Sequence, residues 1–421
     1  MITKDTLRQI AYRQKSLFTA ESETVRRELL NPLLSFMHDS RILVLTGIRR
    51  CGKSTLLGQL SREQKNWCYF NFEDERLLGF NAQDFELLNE VLFEVYGTND
   101  CYFFDEVQNV DAFETFLRRL QDEGKKLVIT GSNASLLSRE LGTRLTGRYL
   151  AFEVYPFSFR EFLAFRKIKY EPEEIFFTEK RVELIAAFES YASTGGFPEY
   201  LKNHDTEYIR ILYENILYRD ILTRYGVKRE RLFKELVSLL TRQMASRFTY
   251  NALKNTLGLS NSITVKEYIS YLGNSYLFFE LPKFSWSVKQ QLSAPKKIYL
   301  VDPVILEVCG SVFSPNKGRI LENIVFNELK RKGLEIYYFA GKGECDFVVK
   351  QNNRVKQLIQ VSHTLDGNNR ERELAGLAEA AESCRNKNGL VITWEQSGEI
   401  QAGANKVRLM PAWQWLTGDA G

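Results

Sequence analysis

From residue 41 to about 150, short apolar runs alternate with amphipathic stretches. "RILVLT" (41–46), "WCYFNF" (67–72), "CYFFDE" (101–106) and "KKLVITG" (125–131) are brief, aromatic or β-branched, and bounded by polar residues. Such runs read as buried strands. Between them, "KSTLLGQLSRE" (53–63) puts Leu56, Leu57 and Leu60 on one helical face. This alternation predicts a parallel sheet with helices on both faces. Residues 1–40 read as amphipathic helix leading into the first strand. Residues 151–225 read as mostly helical, with the turn "STGGFPEYL" (193–201) in their middle.

Further along, the pattern changes. "TYNALKNTLG" (249–258) is a short helix and "LSNS" a turn with a Ser/Asn cap. "ITVKEYISYLGNS" (263–275) is a second helix, and "YLFFELP" (276–282) a strand. Helix, tight turn, helix, strand is a winged helix-turn-helix pattern, in which Asn261, Ser262, Thr264 and Lys266 would stand at the entrance of the second helix. A helical packing module without DNA contact fits the same pattern. The C-terminal third begins near "KKIYLVDPVI" (296–305). It continues with an amphipathic helix "RILENIVFNELKRKG" (319–333) and three short strands within 335–365.

The most specific chemistry is "GIRRCGKST" (47–55), which matches the phosphate-binding loop G-x-x-x-x-G-K-[ST]. Gly47 and Gly52 let the backbone turn where a side chain would block it. The turned loop, through Arg50 and Cys51, aims backbone N–H groups at one phosphate. Lys53 adds a cation for the β- and γ-phosphates. Ser54 offers a hydroxyl to Mg²⁺, and Thr55 opens the helix whose N-terminus attracts anions. ATP and Mg²⁺ are the expected cofactors.

Two adjacent acids end the run "CYFFDE". Asp105 is placed to hold Mg²⁺ through its water shell, and Glu106 to orient and deprotonate an attacking water. Adjacent carboxylates at the end of a buried strand are costly unless a cation sits there. After the strand at 125–131 come Ser132 and Asn133. Asn133 fits a contact to the γ-phosphate or its water, and fits equally an ordinary helix N-cap. Arg144 and Arg148 follow; either is a candidate finger for a γ-phosphate, in its own chain or a neighbour's, or a surface arginine.

Composition narrows the partners. The 421 residues are 44% hydrophobic, ample for packed cores, and predict two or three domains. The N-terminus is polar and charged, and no apolar run approaches the roughly 18 residues that span a bilayer. No membrane is expected, and the cytoplasm is. The six cysteines (51, 68, 101, 309, 345, 384) include no C-x-x-C pair, which argues against zinc and against a disulfide framework. Net charge is +4, but residues 201–300 hold 16 Lys and Arg against 8 Asp and Glu. A basic middle third points to an anionic partner, nucleic acid first, or to solvated helix faces.

Taken together, "GIRRCGKSTLL", "YFFDEVQNV", "ITGSNASLL", "LTGRYLAFEVYPFSFREF", "TGGFPEYL", "YLVDPVI" and "GECDFVVK…IQVS" resemble prokaryotic AAA+-like P-loop ATPases of the archaeal-type branch. In these a C-terminal domain of unknown function is similar to restriction endonucleases. The resemblance implies an α/β fold in three parts: an AAA+-like ATPase domain over 1–165, a helical lid and winged-helix DNA-binding domain over 166–295, and an endonuclease-like domain over 296–421. It also implies ATP hydrolysis through Lys53, Ser54, Asp105 and Glu106, and assembly into a homo-oligomer, expected as a hexameric ring. Glu322, Glu344 and Asp346 would gather as the endonuclease metal site. That site ends in acid-x-lysine, where this chain has Gln360 and Ser362, so nuclease chemistry is not expected. Lys350, two pleats beyond Asp346, is the one lysine that could substitute.

The expected function is an ATP-driven motor or remodeller acting on DNA, with branched or recombining structures as candidate substrates. The alternatives are an ATP-gated switch that binds a protein partner in regulation or phage defence, and an ATP-dependent nuclease.

Overall fold

The structure, a computed structural model, describes residues 2–20, 23–133, 145–310 and 316–418. The chain divides into two compact units, Met1–Tyr155 and Pro156–Gly421.

The first unit is built on five parallel strands: β1 (Ile42–Thr46), β2 (Trp67–Asn71), β3 (Cys101–Asp105), β4 (Lys126–Gly131) and β5 (Tyr149–Glu153). Their order is β2-β3-β4-β1-β5. Every residue of β1 and β3 is buried, as interior strands of a sheet covered on both faces must be. Edge strand β5 is half exposed. The flanking helices bury one stripe each: Leu7, Ile10 and Ala11 from Lys4–Thr19, and Phe113, Phe116, Leu117 and Leu120 from Phe113–Asp122. Aromatic rings fill much of this core, with Phe85 and Phe116 stacked 4.4 Å apart. Because β4 lies between β1 and β3, the C-terminal ends of all three open on the same edge. That edge carries the loop at 47–52, Glu106, Ser132 and Asn133.

In the second unit, β6 (Ser246–Phe248), β7 (Phe278–Leu281) and β8 (Lys296–Leu300) form an antiparallel sheet ordered β6-β8-β7. Helices Tyr250–Thr256 and Ser262–Asn274 lie between β6 and β7. Each starts at a side-chain cap: Thr249 accepts from the N–H of Ala252, and Asn261 from that of Ile263. The "KKIYL" run, which the sequence places at the head of the C-terminal third, is therefore the central strand of this three-stranded sheet. It is held there by pairing on both sides.

Two other quoted segments prove to be partners. Asp302 of "YLVDPVI" accepts from the Gly196 N–H of "TGGFPEYL" at 2.7 Å. A Cβ at Gly195 would fall 1.9 Å from Asp302 Oδ1. Only glycine permits that approach.

A six-stranded mixed sheet follows, made of β9 (Glu335–Ala340), β10 (Glu344–Gln351), β11 (Arg354–Ser362), β12 (Gly389–Thr393), β13 (Gly398–Ala402) and β14 (Asn405–Pro411). Its order is β13-β14-β12-β11-β10-β9. Strands β9 to β11 form an antiparallel meander, and helix Arg370–Cys384 carries the chain to β12, parallel to β11. That helix packs Leu374, Leu377 and Ala380 against Cys345, Val348 and Leu358.

Candidate functional site

At the open edge of the parallel sheet, the loop at 47–52 turns between β1 and helix Lys53–Arg62. Gly47 has φ +154°, and a Cβ there would lie 2.1 Å from the Val154 carbonyl oxygen. Gly52 has φ +101°, and its Cβ would meet Arg27 Nη1 at 2.7 Å. Both positions are therefore closed to other residues. Arg50 takes a left-handed φ of +66°. Cys51 is fully buried, and burial pushes its thiol up, which makes it a poor nucleophile. Ser54 and Thr55 open the helix.

Lys53, 5% exposed, donates to the carbonyls of Gly47 (3.1 Å) and Ile48 (3.2 Å). Its Nζ stands 3.7 Å from Glu106 Oε1.

The two acids sit in different environments. Asp105 ends β3 and is buried. The Thr130 hydroxyl donates to Asp105 Oδ1, Tyr69 OH donates to Oδ2 at 3.1 Å, and Ser54 adds a third hydrogen bond. Burial, and then the neighbouring charge of Glu106, push the Asp105 carboxyl up. Glu106 turns off the strand with φ +52°, its N–H held by Thr130 Oγ1 at 2.9 Å. Burial works against its charge as well. Lys53 and a hydrogen bond from Gln108 more than offset that, and the carboxyl lies below the usual glutamate value. One acid is thus tied down by three hydroxyls, and the other is an ionised carboxylate beside a buried ammonium. Asn133 is buried two residues past the end of β4, the strand that lies between β1 and β3.

Arg148 is not brought to this edge. It precedes β5 at the opposite end of the sheet, where its carbonyl accepts from the Ile42 N–H and its Nη1 pairs with Asp122 Oδ1 at 2.6 Å. About 17 Å of strand, the five residues of β1, separates it from the loop. Arg144 lies outside the described residues.

Three contributors escaped the sequence reading. Arg27, 5% exposed, donates to the carbonyls of Cys51 and Tyr155 at 2.7 Å each, and so clamps the loop to the end of β5. In sequence it is one arginine in a polar segment, with no motif. Tyr69 read as core. Thr130 read as strand, although its position two residues before Ser132 on a strand facing β3 was a usable signal.

Three family models match the chain. A family model described as "AAA domain" matches residues 39–163, and two domains of unknown function, DUF8612 and DUF4143, match 185–313 and 317–415. An uncharacterized protein of Methanocaldococcus jannaschii is 32% identical over 397 residues, spanning 89% of this chain and 88% of that protein. The chain belongs to this family of AAA-domain proteins. A second uncharacterized protein, from Haemophilus influenzae, is 30% identical over 365 residues, covering 82% of this chain and 88% of its own. Among solved structures, the Walker-type ATPase of Pyrococcus abyssi aligns at 17% identity with a TM-score of 0.43, covering 69% of this chain and 99% of the other. The AAA match spans the parallel sheet, the glycine loop at 47–52 and the helix that follows it. Among the described residues no helix is long and apolar enough to cross a membrane.

In the second unit, Glu322, Glu344 and Asp346 do come together, around Lys297 of β8. Lys350 does not join them. The pairing of β10 with β11 shifts between Val349 and Lys350, and the Lys350 ammonium pairs with Glu335 at 3.0 Å. A cavity of about 440 Å³ opens beside the cluster, lined among others by Arg247, Lys342 and Arg372.

Proposed function

We propose that this protein hydrolyses ATP at the loop of residues 47–55 and uses the cycle to act on DNA as a homo-oligomer. The observation that carries the first part is the juxtaposition of Lys53 and Glu106, 3.7 Å apart. Gly47, Arg50, Cys51, Gly52, Lys53, Ser54 and Thr55 would hold the nucleotide. Ser54 and Asp105 would hold Mg²⁺. The donor set fits: a hydroxyl hydrogen-bonded to a buried carboxylate, and a glycine cradle that a side chain would fill. When bound, Mg²⁺ would neutralise charge on the phosphates.

The chain's own residues do the rest. Lys53 exchanges two backbone carbonyls for phosphate oxygens. Glu106, ionised, accepts the proton of the attacking water. Asp105 stays fixed by Thr130 and Tyr69. Asn133 is placed to hold the water or the γ-phosphate. Arg148, remote from its own loop, reads as a finger for a neighbouring subunit, with Arg144 as the alternative. A ring of subunits, hexameric in our reading, would give each loop such a finger.

DNA is the proposed substrate because of residues 201–300. Lys266 and Lys296 stand 5.2 and 5.0 Å from the centre of the Tyr250 ring, flanking the first helix of the helix–turn–helix. Lys266 and Asn261 are exposed, although the Asn261 side chain is already engaged as a cap. We read this element as the winged helix of a helical lid and DNA-binding domain that follows the ATPase domain at 1–165. Because β8 is the central strand of its sheet, the boundary expected at 295/296 moves past that strand, and the endonuclease-like domain after it serves as a DNA-binding or assembly platform.

The test is ATP turnover with and without branched DNA, together with DNA affinity at rising salt. We expect stimulation, and a steep salt dependence from released counterions. Charge reversal at Lys254 and Lys266 should weaken binding more than reversal at Lys4 and Lys65. Equal effects, with no stimulation by DNA, would favour the ATP-gated switch that binds a protein partner.

A further inference from the structure

One buried ammonium meets three carboxylates in the second unit. Lys297 Nζ lies 2.8 Å from Glu322 Oε1, 2.6 Å from Glu344 Oε1 and 2.8 Å from Asp346 Oδ1. Lys297 is 2% exposed. An ammonium has three N–H donors, and here each has a carboxylate.

Other polar atoms of the cluster are committed too. Asp346 Oδ2 accepts from the Val361 N–H at 2.9 Å, and Glu322 Oε1 also accepts from Tyr299 OH at 2.6 Å. Glu344 Oε2 faces Arg247 Nε at 3.4 Å. Gln360 occupies the position where a second metal-binding carboxylate is expected. Its Oε1 accepts from the Asp346 N–H, and its Nε2 donates to Glu373.

An endonuclease-like site implies a divalent ion among these acids. The residues present do not fit one. Their oxygens stand at the distances of charge-assisted hydrogen bonds to nitrogen, whereas Mg²⁺ demands six oxygens near 2.0–2.1 Å. Admitting the ion would require Lys297 to leave, and a buried ammonium stripped of its partners is an uncompensated charge in the interior. Among the described residues no set of His, Cys, Asp and Glu is arranged to hold a metal.

We propose that Lys297 is the resident cation of this cluster: its ammonium stands where a divalent ion would stand, joins β8 to the C-terminal sheet, and keeps metal out. The electrostatics agree. Burial opposes the charge of Lys297, yet Asp346 and Glu322 hold it well above the ordinary lysine value. Burial, then Asp346, push the Glu322 carboxyl up to about 7. Near neutrality the cluster moves toward balance by taking a proton on Glu322.

The test uses Mn²⁺ alone on the full, nucleotide-free chain, with free ion read by electron paramagnetic resonance. Wild type and Asp346→Asn should bind Mn²⁺ identically. Lys297→Met, which keeps length and removes charge, should gain one site at least tenfold tighter than any in wild type. Adding Asp346→Asn to it should abolish that site. Mn²⁺ should also raise the unfolding temperature of Lys297→Met and leave that of wild type unchanged. Mn²⁺ binding by wild type that disappears in Asp346→Asn would overturn the proposal and put Lys297 beside a metal rather than in its place. So would a folded Lys297→Met that gains no site. If Lys297→Met does not fold, the comparison of wild type with Asp346→Asn decides.

Discussion

Thr130 is the least obvious residue on which the ATPase site depends, and Thr130→Val isolates its contribution. Valine keeps the shape and the β-propensity of the strand and removes only the hydroxyl. That hydroxyl makes two bonds: it donates to Asp105 Oδ1 and accepts from the Glu106 N–H at 2.9 Å. The first is a hydrogen bond to a buried carboxylate, worth about 1.5–3 kcal/mol, and losing the second leaves a partly buried N–H unpaired, at about 1–3 kcal/mol. The sum, about 2.5–6 kcal/mol, divides between stability and the placement of the two acids. Glu106 is the more sensitive acid, because its left-handed backbone, φ +52°, is pinned through that N–H. If about 1.4–2.7 kcal/mol falls on the barrier, turnover drops about 10- to 100-fold. Nucleotide binding, which rests on the loop and Lys53, should change less than about threefold. Thr130→Ser retains the hydroxyl and should recover most of the rate. The assay is steady-state phosphate release, with nucleotide affinity and thermal unfolding measured on the same samples. Turnover of Thr130→Val within twofold of wild type would refute the reasoning. Equal loss in Thr130→Ser would mean that packing, not the hydroxyl, matters.

Two further outcomes are expected. Mixing an Arg148→Ala chain with a Lys53→Ala chain should restore part of the ATPase rate, because one supplies an intact loop and the other the finger; with subunit exchange verified, no rescue for Arg148 or Arg144 would rule out action in trans. Asp302 is fully buried, and burial lifts its carboxyl from 3.8 to about 6, so the native state holds this proton more tightly than the unfolded chain does. Its stabilising contribution is complete below about pH 4 and is lost as pH rises through 6, a loss of about 3 kcal/mol. Asp302→Asn should lack that component in unfolding curves taken between pH 4 and 7; an unchanged pH profile would contradict the assignment.

The parallel sheet and the glycine loop that follows β1 were legible in sequence for a physical reason. Strands buried on both faces must be continuous apolar runs, and a loop that cradles phosphate must carry glycine where a Cβ would strike Val154 or Arg27. Arg27 itself was not legible. It acts through backbone carbonyls distant in sequence, and any polar segment can hold an arginine. The second unit shows the same limit. Alternation along "GECDFVVK" puts Asp346 and Lys350 on one face, but a register shift at Val349/Lys350 sends Lys350 to Glu335. The lysine that meets the acids comes from β8, about fifty residues earlier, and looked like one more cation in a basic third. The sequence offered no expectation for the strands after residue 365, where alternation is broken by short, half-exposed strands such as β13.

The central claim is that Glu106 is the base of an ATPase whose nucleotide is held by Lys53. Its most direct test is phosphate release and ATP affinity measured together on wild type and Glu106→Gln. The substitution preserves size and leaves Ser54 and Asp105 in place, but it cannot accept a proton. We expect ATP affinity to stay within a few-fold of wild type while turnover falls on the order of 100-fold or more. Hydrolysis by Glu106→Gln at the wild-type rate would contradict the account.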